Sequence, residues 1–266
     1  MLGKLFKHQM KSVSKVLIII HAALLLFGIF LGIAAPSLTV STSSLSIYEL
    51  VFIISMTLYI IILIGVMYTM YILLAIRFYR NMFTSEGYLT HTLPVKPGTL
   101  LFSHILTFSV WYMICMLVIL LSGAFLVIGA GGVSELTKLI RSLPEYFNTN
   151  MFMVIFWILQ YLIIGAVSSA TMIYASITIG SLFAPHKVVA SIVTYIIFYV
   201  IIQISTMILM MASPTMRSVM FVQYSVVGIT KEIFPILLWS ELELLLFTAA
   251  FWITSHIILT KHLNLE

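Results

Sequence analysis

Six long runs of apolar residues recur along this chain, and each is long enough to cross a bilayer as a helix. Their predicted limits are 17–35, 50–76, 101–130, 151–183, 188–211 and 234–259. Only 8% of the residues are charged, against about 25% in a soluble domain. A water-facing surface cannot be built from so few charges, so the solvent these runs match is lipid. The runs are continuous and do not alternate over segments of about ten residues, which excludes a transmembrane barrel. The predicted fold class is an all-α integral membrane protein, with six transmembrane helices in a single domain, 1–266. The seven prolines are expected in loops or near the ends of runs, since an interior proline breaks the helical ladder. No internal repeat is visible, which argues against an inverted-repeat transporter. The 151–183 run exceeds a minimal span and is expected to tilt or protrude.

Ahead of the first run, residues 1–15 place Leu2, Leu5, Phe6, Met10 and Val13 at helical spacing. Lys4, Lys7, His8, Lys11 and Lys15 fill most of the opposite side. This pattern predicts an amphipathic interfacial helix against anionic membrane lipid. The apolar run that begins at Val16 is too long for a secretory signal and is expected to stay as an anchor. With the N-terminus inside, nine Lys and Arg fall in cytoplasmic segments and four outside. That bias predicts a multi-pass protein of the cell membrane with both termini cytoplasmic. The same bias accounts for the net charge of +5, without nucleic acid as a partner. The segment 212–232 keeps Val219, Met220, Phe221, Val226 and Val227, and is predicted to fold back as a re-entrant or interfacial element.

Catalytic signatures are scarce. The chain has no aspartate, no P-loop, no GxSxG and no zinc-binding spacing. No catalytic residue, metal or bound cofactor is predicted, and an enzyme is not the favoured reading. Cys115 lies alone in an apolar run and reads as a small core residue. His21, His104 and His256 share no ligand spacing and read as satisfied polar residues between helices. Glu241 and Glu243 are different, because carboxylates in a membrane segment point to function by default. Two residues apart, they project to different sides of a helix. Two readings stay open for them: a structural place at the outer interface, or the outer part of a translocation path. A lipid- or peptide-directed membrane enzyme using Glu241, Glu243 or His256, and a non-transporting sensor or assembly factor, are the alternatives to transport.

The segment 77–99 is the most basic interruption between two runs, with Arg77, Arg80, His91 and Lys96. Its sequence, RFYRNMFTSEGYLTHTLPVKPGTLLFSHIL when extended to residue 106, resembles the first cytoplasmic loop of bacterial type-2 ABC transporter permeases. Phe78, Tyr79, Arg80, Glu86, Gly87, Tyr88, Leu89, Thr92, Leu93, Pro94 and Lys96 carry the likeness. The turn GSLFAPHKVVAS, from Gly180 to Ser191, resembles the second cytoplasmic loop and includes His186 and Lys187.

The resemblance implies a permease subunit that exports or extracts an amphipathic or hydrophobic substrate, such as a peptide, lipid or drug. It implies a coupling helix between helices two and three that docks on a separate ATPase subunit, which binds ATP and Mg. A second permease chain, identical or paralogous, would complete the transporter. The implied docking residues are Tyr79, Arg80, Phe83, Glu86, Gly87, Tyr88 and Leu89. Among them Tyr79, Phe83 and Tyr88 are expected as aromatic anchors, Arg80 and Glu86 as polar register, and Gly87 as a sharp turn.

Overall fold

The computed structural model describes residues 2–35, 47–92, 94–147, 149–183, 186–212 and 226–261. Among them are eight helices and no strand: α1 (Leu2–Ala34), α2 (Ile47–Phe83), α3 (Ser85–His91), α4 (Pro97–Gly129), α5 (Val133–Tyr146), α6 (Met151–Gly180), α7 (Lys187–Ala212) and α8 (Val226–Lys261). Six of these, α1, α2, α4, α6, α7 and α8, are long and apolar enough to cross a membrane. The protein therefore fits a multi-pass membrane protein, as six unbroken apolar runs require.

Several boundaries differ from the sequence expectation. Residues 1–15 are not set off from the first span, because α1 is one helix of 33 residues, about 50 Å long. The basic segment after the second run is also mostly helical: α2 continues through Arg77 and Arg80 to Phe83. The stretch after the third run holds a further helix, α5. The proline expectation fails at Pro235, which falls within α8 because that helix begins at Val226 instead of residue 234; Pro144 sits in the last turn of α5. The proposed fold-back at 212–232 falls largely on 213–225, outside the described residues.

Local signals explain the helix ends. Asn150 caps α6, its side chain accepting from the Met153 N–H at 2.9 Å. Pro97 occupies the first position of α4, where no N–H is required. At the other end of α4, Gly131 adopts φ 82°. Its N–H donates to the Ile128 carbonyl at 3.0 Å, and the Gly132 N–H donates to Val127 at 2.9 Å. This glycine cap closes the helix with the paired bonds of a Schellman motif, a conformation that side-chain-bearing residues rarely adopt.

The chain divides into two compact units. One comprises Lys7–Leu74 and Val110–Ser142. In it α1 buries Val13, Leu17, His21, Leu24, Gly28, Leu31 and Gly32, a stripe at three- and four-residue spacing. Gly28 and Gly32 form a GxxxG pair, which permits close helix approach. A Cβ on Gly28 would run into the Ser122 side chain, and one on Gly32 would come within 2.6 Å of the Phe125 carbonyl oxygen. A Cβ on Gly129 would meet the Gly32 backbone. Ser122 sits at the same seam, its hydroxyl donating to the Leu24 carbonyl at 3.2 Å and accepting from Tyr59 at 3.0 Å. His21 is held by a 2.6 Å bond from Nδ1 to the Leu17 carbonyl, so Nδ1 carries the proton. Its Nε2 and the Trp111 Nε1 are buried without partners among the described residues, with the ring centres 6.2 Å apart. His21 is thus only half satisfied.

The other unit comprises Met1–Phe6, Ala75–Ser109 and Leu143–Glu266. Here α6 packs against both α7 and α8. Gly180 abuts Ser191, where an added Cβ would overlap the Ser191 hydroxyl. Tyr174 of α6 stacks on Phe78 with centroids 4.1 Å apart, and His104 and Phe108 of α4 meet Tyr174 edge-on. The Tyr174 hydroxyl donates to the His104 carbonyl at 3.3 Å. Farther along, Phe251 of α8 packs against Phe198 of α7 at 4.6 Å.

Candidate functional site

The first candidate lies where α2 ends. Phe83 has no exposed surface and packs against Phe78 and Tyr79. Expected as an anchor for a partner, it is turned instead into this chain's own core and fixes the last turn of α2. Thr84 leaves the helical path, with φ −107° and ψ −173°, and α3 starts anew at Ser85. Gly87 makes no sharp turn. It is helical and buried in α3, its N–H donating to the Thr84 carbonyl at 2.7 Å. Arg80 and Glu86 were expected to face a partner, but they face each other, with Arg80 Nη2 donating to Glu86 Oε1 at 2.5 Å. The pair ties α3 back onto α2. Both side chains keep substantial exposure, at 55% and 40%, so screening holds the contribution of the pair to about 1 kcal/mol or less.

This bracing leaves Tyr88 with 52% of its surface exposed on α3. Tyr79 is half-buried. The side chain of Leu89 and residue Leu93 lie outside the described residues. At the second predicted loop, His186 is exposed and Lys187, the first residue of α7, is buried. Pro185 is outside the described residues.

The second candidate lies on α8. Glu241 and Glu243 are both buried, at 6% and 7% exposure. Their two-residue spacing sends them to different helices. Gln160 of α6 donates to Glu241 at 3.2 Å, whereas Thr206 of α7 donates to both oxygens of Glu243, at 3.2 and 3.1 Å. Neither carboxylate meets a cationic side chain among the described residues. A carboxylate held only by neutral donors in an apolar setting keeps most of its desolvation penalty, which makes both expensive to maintain.

Beside Glu241 lies a cavity of about 220 Å³, open on one side. Trp157 and Tyr161 of α6 line it at i, i+4 spacing, Leu237 and Glu241 of α8 line it at the same spacing, and Phe147 adds a further wall. Sequence inspection passed over Gln160, Thr206, Trp157 and Tyr161. A polar residue within an apolar run was the available signal for Gln160, since such a side chain needs a partner between helices. Among the described residues, no group of three His, Cys or Glu side chains could hold a metal. Comparison with protein-family models, curated proteins and solved structures finds no match to this chain.

Proposed function

We propose that the chain is the permease subunit of an ATP-binding-cassette transporter, moving an amphipathic or hydrophobic substrate across the cell membrane. The observation that carries this reading is α3. It is a separate short helix between the second and third apolar helices, tied by Arg80–Glu86 and presenting Tyr88. A short braced helix with one outward aromatic suits docking into a groove on another subunit. The likeness of segment 77–106 to type-2 permeases supports the same assignment. In this reading α3 is the coupling helix, Tyr79 and Tyr88 touch the ATPase, and Phe83 holds the platform beneath them. ATP and Mg bind the ATPase subunit, and a second permease chain completes the assembly. The termini and α3 face the cytoplasm, as the Lys and Arg distribution favours.

The test is co-expression with a P-loop ATPase encoded by a neighbouring reading frame. The two chains should co-purify, and ATP should drive substrate movement in proteoliposomes. Tyr88→Ala together with Glu86→Ala should lower ATPase retention about tenfold or more, as the loss of an interface anchor does. Undiminished retention and transport in that double variant would overturn the assignment.

A further inference from the structure

We infer that α5 lies flat in the membrane interface, with Val133, Leu136, Leu139, Ile140 and Leu143 set into lipid and its charged side in water. The helix sorts its residues cleanly. At about 100° per residue, those five apolar positions fall within about 120° of its circumference. Glu135, Lys138, Arg141 and Glu145 share about the same width on the opposite side. All four charged residues are exposed. The described residues also leave much of the apolar side uncovered: Val133, Leu139 and Ile140 are 51%, 57% and 44% exposed. Leu136 and Leu143 are half-buried.

Connectivity fixes what covers that side. Residues 130–132 join α5 to α4 and residues 147–150 join it to α6, and both neighbours are long and apolar enough to cross a membrane. The turn at Gly131 is tight, and the Leu136 N–H donates back to the Gly132 carbonyl at 2.9 Å, so α5 starts at once. At about 1.5 Å per residue α5 is about 21 Å long. The 147–150 link spans at most about 18 Å when fully extended. It is shorter than that here, because the Phe147 and Thr149 N–H groups donate to the Leu143 and Pro144 carbonyls. Since α6 is apolar from Met151 onward, an upright α5 would carry its far end out of reach of the next span. The axis of α5 therefore runs along the bilayer surface. A two-sided helix held at that level buries its apolar side at the boundary between head groups and acyl chains. Phe125 and Ile128 near the end of α4 are exposed too, so the lipid-facing surface continues along the chain into α5. On the polar side Glu135 and Glu145 balance Lys138 and Arg141. The attachment therefore needs no anionic lipid, unlike the lysine-rich start of α1. It needs no ATPase either, so it stands or falls separately from the transport reading.

The experiment uses the full chain in phosphatidylcholine vesicles. Cys115→Ser removes the one native thiol, and Leu139→Cys or Lys138→Cys then carries a single spin label. Collisions with oxygen, which concentrates in lipid, and with a water-soluble nickel chelate report the depth of each label. The label at 139 should sit about 5–10 Å into the boundary between head groups and acyl chains. Its ratio of oxygen to nickel collisions should exceed that at 138 severalfold. Should Leu139→Cys fail to fold, Val133→Cys and Ile140→Cys decide, and their labels should read the same depth. Free access of nickel to the apolar positions would place the whole helix in water and overturn the inference. Shielding of those positions from both reagents would overturn it as well, because protein instead of lipid would then cover the face. Added phosphatidylglycerol should leave the depth unchanged. Entry into lipid only when phosphatidylglycerol is present would overturn an apolar attachment in favour of an electrostatic one.

Discussion

Where α1 meets α4, Gly28, Gly32 and Gly129 remove side chains so that backbone touches backbone. Around α6 the opposite device operates: Phe78, Phe108 and Tyr174 fill the space between helices with rings. Lipid tails are as apolar as leucine, so neither contact can rely on the driving force that water gives a soluble core. The glycine seam gains from dispersion at short range, and the aromatic cluster gains from shape and ring geometry. The first tolerates no added atoms, the second no missing ones.

That contrast can be broken most forcefully at Tyr174. Tyr174→Ala empties the centre of the cluster and should destabilise the protein by about 3–5 kcal/mol, read as a lowered Tm in detergent. At the glycine seam the same truncation is impossible and enlargement is the informative change. Gly129→Val should cost about 1–3 kcal/mol, because the Gly32 backbone opposite cannot swing aside as a side chain would. A loss below about 0.5 kcal/mol would show that the two helices separate freely and that the seam is not tight. Tyr59→Phe sharpens the polar part of the seam by removing the bond to Ser122, at an expected loss of about 1 kcal/mol.

The smallest effect is expected outside both contacts, on α5. The Ser134 hydroxyl donates to Glu135 at 2.7 Å, and this bond, followed by a backbone N–H, holds the Glu135 carboxyl below its usual range. A depressed carboxyl favours the folded form above its unfolded pKa, and that contribution fades as pH falls through the folded value. Ser134→Ala should raise the Glu135 pKa, measured by NMR titration, with no measurable change in Tm. An unchanged titration would show that the hydroxyl is not the cause.

The six long helices were legible because an apolar run of sufficient length has few alternatives in lipid. The surface helices were less so. In α5, Glu135, Lys138, Arg141 and Glu145 gave the stretch the look of a mixed-charge loop. Yet Leu136, Ile140 and Leu143 recur at three- and four-residue spacing, which marks a helix. Pro144 is compatible with that helix because it sits in the last turn, near its end. Glu241 was recognisable as unusual from its type and place alone. Its surroundings were not, because Trp157, Gln160 and Tyr161 are remote in sequence and only packing brings α6 to α8. Phe83 shows the converse limit: an aromatic beside a polar segment looks like an anchor until its own neighbours are known.

The unbroken course of α2 has a mechanical consequence. Over 37 residues it contains no proline, and at about 1.5 Å per residue it is a rod of roughly 55 Å. Helices of this kind curve gently and kink only at specific defects. A twist applied at Phe83 is therefore not absorbed locally. It is passed to the preceding turn of the same helix, so the facing of Phe78 is coupled to the orientation of the turn that carries Arg80.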